Sequence, residues 1–145
     1  MMVDKAGANS GEIEDTLRRA AASQRIAMER LLAPFDITPA QFSVLEIVVA
    51  APGISSAEAA RLERLTAPTM SVIVGNLERR HAIVRHPHPR SARIQCLEPT
   101  RLGLGIRERA LASVHSLRAR VRVAIPIGAA SEIHIWLSRV AEIEV

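Results

Sequence analysis

The sequence predicts a mainly α chain of the α+β class, in which long helices at both ends bracket a centre containing one β-hairpin. Three observations predict it. Apolar residues recur every three or four positions in several separate segments. Helix-start signals, a Ser or Thr followed at short offset by proline or glutamate, stand at Thr38, Ser55 and Thr66. Between Ile83 and Glu98, two short β-runs are separated by prolines.

The first helix runs from about Gly11 to Ala33. Ile13, Leu17, Ala20, Gln24, Met28, Leu31 and Phe35 share one face, and Pro34 ends the helix. Thr38 caps a second helix with Pro39 at its first position. Phe42, Leu45, Val48 and Val49 form its buried stripe, and Ala51-Pro52-Gly53 breaks it. Ser55-Ser56-Ala57-Glu58 matches a capping box and opens a short helix to about Leu62. Thr66 caps the next helix, with Pro68 in its first turn. There Met70, Ile73, Val74 and Leu77 face inward, while Ala67, Thr69, Ser71, Val72, Asn76 and Arg79 face out.

Two short helices joined by a three- or four-residue turn, the second with small polar residues outward, form a helix-turn-helix. Ile83-Val84-Arg85-His86 and Arg93-Ile94-Gln95-Cys96-Leu97-Glu98 then flank a proline-rich tip from Pro87 to Ala92. A β-hairpin after the second helix completes a winged helix. Thr100 caps a long helix carrying Ile106, Ala110, Val114, Leu117 and Val121 on one face. Pro126-Ile127-Gly128 interrupts, and Ile133, Trp136, Leu137 and Val140 mark a final helix. The expected organisation is one domain over residues 1–145. A winged helix-turn-helix lobe spans 38–99, and terminal helices span 11–37 and 100–145. The terminal stripes exceed what the central lobe needs, so they are expected to entwine with a second copy as a homodimer.

Composition narrows the setting. With 145 residues, 48% hydrophobic and 23% charged, the chain has the profile of a globular domain that folds without staples. A single cysteine, Cys96, excludes an intrachain disulfide framework and fits a reducing compartment. The longest run free of Asp, Glu, Lys and Arg is the 13 residues Leu65–Leu77, against about 18 for a membrane span. The first residues hold no apolar stretch of signal-peptide length. A cytoplasmic protein without membrane attachment is the expectation.

Charge says more than its total of +4. Residues 61–93 hold seven arginines against two glutamates, a local +5, while the rest of the chain nets −1. A concentrated basic segment over a helix-turn-helix points to a polyanion. Aromatic content of 2% argues against base-stacking platforms for single strands, so double-stranded DNA is the favoured partner.

The order of these elements resembles the MarR (multiple antibiotic resistance regulator) family of bacterial transcription factors. The residues that carry the resemblance begin with Ile37-Thr38-Pro39-Ala40-Gln41-Phe42-Ser43-Val44-Leu45 and Pro52-Gly53-Ile54-Ser55-Ser56-Ala57-Glu58-Ala59-Ala60. They continue through Pro68-Thr69-Met70-Ser71, Asn76-Leu77-Glu78-Arg79-Arg80 and the stretch from His86-Pro87-His88-Pro89 to Arg93. The resemblance implies a dimeric regulator, a repressor relieved by a small effector, reading a pseudopalindromic operator. The recognition helix, the one capped by Thr66, would enter the major groove and the wing arginine the minor groove. Carried over, Pro68, Thr69, Ser71, Val72 and Asn76 read bases and Arg93 is the wing residue. Ser55 and Ser56 hold phosphates, and Arg79, Arg80, Arg85 and Arg90 add phosphate attraction. The resemblance also implies a small aromatic or phenolic effector in a cleft lined by Met28, Leu32, Phe35, Phe42 and Leu45; these residues also suit plain core.

The pattern departs from the family at Val72, at Gly75, at Ser91 before the wing arginine, and at His81, where a glycine usually ends the helix in a left-handed conformation. Those departures motivate an alternative: a winged-helix dimer with weakened DNA binding that acts as a protein-interaction module. Other chemistry is poorly supported. His86-x-His88 lies on a basic wing without a nearby carboxylate ligand set, so no metal is expected, and His115 and His134 read as packing or interface residues. Cys96 alternates within a strand and reads as a structural thiol. No cofactor motif or catalytic constellation is present in the sequence, so an enzyme is not expected.

Overall fold

The computed structural model describes residues 7–143. Helix α1 (Ser10–Leu32) begins at Asn9, whose side chain accepts the Glu12 N–H at 3.0 Å while the Asn9 N–H donates to the Glu12 carboxylate at 2.9 Å. This reciprocal capping box satisfies two free donors of the first turn and draws the start slightly ahead of the expected Gly11. Pro34 ends α1 as expected, within a 3-10 turn (Ala33–Phe35) that closes on Asp36 at φ 52. Thr38 and Gln41 form a second capping box, which opens helix α2 (Pro39–Ala50).

Ser55 caps helix α3 (Ser56–Leu62), accepting the Glu58 N–H at 3.1 Å. The chain turns through Arg64 at φ 54, and Thr66 caps helix α4 (Ala67–Arg79) by accepting the Thr69 N–H at 3.3 Å. Pro68 sits in the first turn, where a missing N–H costs nothing. After α4, His81 takes φ 56, the left-handed conformation its position implied.

Strands β1 (Ile54–Ser55), β2 (Ile83–His88) and β3 (Ser91–Pro99) form an antiparallel sheet in the order β1-β3-β2. Strand β1 was not expected. Its two residues pair Ile54 with Leu97 and Ser55 with Cys96, stitching the start of α3 to the hairpin. The hairpin is also longer than the sequence suggested. β2 continues through Pro87 and His88 and β3 starts at Ser91, which shrinks the tip to Pro89-Arg90. β2 is an edge strand, where a residue without an N–H is tolerated, and the register slips between Pro87 and His88.

The core is one continuous apolar cluster centred on Leu32, Phe42, Leu45, Met70, Val74, Leu77, Ile83 and Leu97, joined by Val114 of helix α5 (Arg101–Ala124). The inward stripe of α4 is as expected: Met70, Ile73, Val74 and Leu77 are all buried. Glu46 of α2 holds α5 in place through Arg118 at 2.9 Å and Arg107 at 3.7 Å. The terminal helices share this core only in part. α5 buries Ile106, Ala110 and Val114, but Val121 further along is 49% exposed. Helix α6 (Ala130–Ala141) buries nothing, leaving Trp136 40% exposed. The apolar stripes expected on these helices exist, and much of their length has no cover within one chain. Among the described residues, no single helix is long and apolar enough to cross a membrane.

Candidate nucleic-acid interface

Packing of Met70, Ile73, Val74 and Leu77 into the core fixes which side of α4 remains outside. Pro68, Thr69, Ser71 and Val72 are exposed on its N-terminal half, with Val72 at 64%. Asn76 is half-buried, and its Oδ1 accepts a hydrogen bond from the exposed Arg79 guanidinium. Arg79 and Asn76 are therefore one hydrogen-bonded unit on the last turns. Ser55 and Ser56 are half-buried at the start of α3, with the Ser55 hydroxyl engaged in the cap.

The seven arginines of the basic segment differ sharply in what they touch. Arg61 pairs with Glu58 at 3.6 Å, both exposed. Arg64 donates to the Ala141 carbonyl at the end of α6. Arg80 turns toward α1 and donates to the backbone carbonyls of Phe35, at 2.8 Å, and Asp36. Arg85 binds Glu78 at 2.6 Å, a part-buried pair that ties β2 to α4. Arg90 and Arg93, both exposed on the hairpin, are the members of the set whose guanidinium groups have no hydrogen bond or ion pair among the described residues. The tip is shaped by His88, whose Nδ1 accepts the Arg90 N–H at 3.1 Å.

The residues expected to line an effector cleft divide in two. Leu32, Phe42 and Leu45 are fully buried in the monomer core, whereas Met28 and Phe35 are partly buried at its edge. Phe35 lines an open cavity of about 540 Å³ with Pro34, Arg80, Leu102, Ile106 and Arg109. A second groove, also about 540 Å³, lies between Glu29, Asp36, Thr38, Gln41, Asn76 and Arg79. Cys96 is buried in β3. His86 faces Glu98 at 3.6 Å while His88 serves the wing tip, so the two imidazoles have separate partners.

Sequence reasoning missed Glu78, which orients Arg85, and His88, which supports Arg90. For Glu78 a signal existed: an acid near the end of a helix and an arginine seven residues on, across a tight turn. For His88 no signal distinguished it from a surface residue.

A capped two-helix unit with an outward polar face, followed by a basic hairpin on a three-stranded sheet, defines a winged helix-turn-helix protein of the DNA-binding transcriptional-regulator class. A sequence model of the MarR family matches residues 35–94. HTH-type transcriptional repressor Rv2887 of Mycobacterium tuberculosis is 32% identical over 105 residues, 72% of this chain and 76% of that protein. The chain belongs to the MarR family of transcriptional regulators. Its fold matches CouR from Rhodococcus jostii bound to p-coumaroyl-CoA, with a TM-score of 0.83 at 24% identity, covering 94% of this chain and 96% of that one. It also matches a mutant MarR from E. coli in complex with operator DNA, with a TM-score of 0.80 at 20% identity, covering 88% and 92%.

Proposed function

We propose that the chain acts as a homodimeric repressor that reads a pseudopalindromic operator and is released from it by a small amphipathic ligand. The observation that carries the DNA reading is the pair of free guanidinium groups, Arg90 and Arg93, on the hairpin that follows the exposed face of α4. Thr69 and Ser71 offer hydroxyls to base edges in the major groove, and Val72 offers an apolar contact to a thymine methyl. Arg93 is suited to the negative potential of a narrow minor groove, and Arg90 to the adjacent phosphates. The operator complex of the E. coli MarR mutant and the repressor name of the mycobacterial relative support this reading.

Dimerisation is supported by the uncovered stripes of the terminal helices, where Ile13, Val121, Trp136 and Leu137 are all at least 40% exposed. Two copies place two reading helices about one DNA turn, or a multiple of it, apart. Ligand release is supported by the cavity at Phe35, where the apolar Pro34, Leu102 and Ile106 stand beside Arg109 and Arg80, whose guanidinium also donates to the Phe35 and Asp36 carbonyls. An aromatic carboxylate or a phenol matches that chemistry, and CouR was solved with p-coumaroyl-CoA bound.

The test is enrichment of duplexes from a random-sequence library, followed by mobility shift at matched salt. A two-fold-symmetric sequence bound far more tightly than its scrambled version is expected. If no duplex binds better than random DNA, the operator reading fails and the protein-interaction reading replaces it.

A further inference from the structure

Arg80 occupies the C-cap of α4, beside the exposed Arg79, yet its side chain runs away from the outer face. Its Nη2 donates to the Phe35 carbonyl at 2.8 Å and its Nη1 to the Asp36 carbonyl. These are consecutive acceptors at the end of the 3-10 turn that follows α1. They belong to the negative end of a helical segment, which favours a cation. Two adjacent carbonyls suit the planar fork of a guanidinium; an ammonium is a point donor and lacks that match.

The other ties at this end of α4 reach the wing and the start of α5. Glu78 binds Arg85 of β2, and the carbonyls of His81 and Ala82 accept from Thr100. Among the hydrogen bonds that α4 and its cap make with the described residues, the Arg80 fork is the one that crosses to the α1 side. We propose that Arg80 is a positioning residue for DNA recognition, a strut that sets the tilt at which α4 is presented, and not a phosphate contact.

The lever is long. Arg80 lies eleven residues beyond Thr69, about 16 Å along the helix. A tilt of about 5° then moves the reading end by about 1.4 Å, enough to spoil base-edge hydrogen bonds. Phosphate attraction depends much less on such a shift. The strut and the phosphate roles therefore predict different behaviour from a charge-preserving replacement.

The experiment compares Arg80→Lys and Arg80→Gln with wild type on two probes: the duplex enriched by wild type from a random library, and its scrambled version. For the strut, Arg80→Lys loses about tenfold on the enriched duplex, retains scrambled-duplex affinity, and keeps the salt dependence of wild type. If Arg80→Lys binds as wild type while Arg80→Gln weakens on both probes, the proposal is overturned. A salt slope shallower by about 0.9 per protomer in Arg80→Gln is the signature of that phosphate contact.

A spectroscopic readout separates positioning from a mere loss of stability. Spin labels at Ser23→Cys and Ser71→Cys, in a Cys96→Ser background diluted with unlabelled chain, report the α1-to-α4 distance within one protomer. Adding Arg80→Lys is expected to shift or broaden that distribution in folded protein. An unchanged distribution overturns the proposal.

Discussion

Gly103, on the first turn of α5, packs against the backbone that joins α4 to β2. A β-carbon at this position would lie 1.9 Å from the Ala82 carbonyl oxygen and 2.8 Å from its carbon. Both atoms are main chain, so no flexible side chain can swing aside. Ordinary contact begins at 3.4 Å, and α5 would have to withdraw by about 1.5 Å. That movement pulls the Thr100 N–H from the Ala82 carbonyl, now at 3.0 Å, and the Thr100 hydroxyl from the His81 carbonyl. Each hydrogen bond is worth about 1 kcal/mol net, and overpacking adds about 1–3 kcal/mol. The helix-propensity gain of alanine over glycine returns about 1 kcal/mol. Gly103→Ala is therefore expected to cost about 2–4 kcal/mol, or roughly 10 °C in thermal midpoint for a chain of this size. Circular-dichroism melts at one fixed protein concentration read it, because association alters apparent stability. Gly105→Ala is the control. There a β-carbon meets only the Arg109 side chain at 3.6 Å, and a change between zero and about 1 kcal/mol of stabilisation is expected. A Gly103→Ala protein as stable as wild type would refute the close-approach argument.

Three further outcomes are expected. Phe42, 1% exposed at the centre of the core, should cost about 3–5 kcal/mol as Phe42→Ala in urea unfolding; a loss under 1 kcal/mol would mean the core is not built around it. Arg93→Ala should weaken operator binding, relax preference at minor-groove positions and make the salt slope shallower by about 0.9 per protomer; equal binding in a mobility-shift titration would count against the wing assignment. Trp136→Asp puts a charge on the uncovered face of α6 and should shift the chain from dimer to monomer in analytical ultracentrifugation, with secondary structure retained. Sedimentation identical to wild type would remove α6 from the interface.

What the sequence revealed of the fold is local chemistry. Thr38, Ser55, Thr66 and Thr100 are helix caps because a hydroxyl beside free N–H donors is a local event, written within three residues. The buried stripe of α4 was equally legible, since 3.6-residue periodicity needs no knowledge of the partner surface. Strand β1 was not legible. Two residues cannot display alternation, and what makes Ile54–Ser55 a strand is the edge that β3 offers more than forty positions later. The extension of β2 through Pro87 fails for a related reason. Proline's missing donor forbids a central strand and is harmless at an edge, and edge position is a property of the assembled sheet.

The same division explains the site. The outer face of α4 follows from its inner one, so helical periodicity alone puts Thr69, Ser71 and Val72 outside. The arginines could not be sorted that way. The acceptors of Arg80 are main-chain carbonyls at Phe35 and Asp36, and every residue carries a carbonyl, so nothing in the sequence marks these two. Net charge counts guanidinium groups; contact with DNA depends on donors that are still free. Arg80 keeps its charge while its fork is engaged, so it still contributes to the long-range field that brings DNA to the lobe. Encounter and reading are then separable at one residue. Charge alone sustains the first, as in Arg80→Lys, and the second also needs the geometry that the fork imposes on α4.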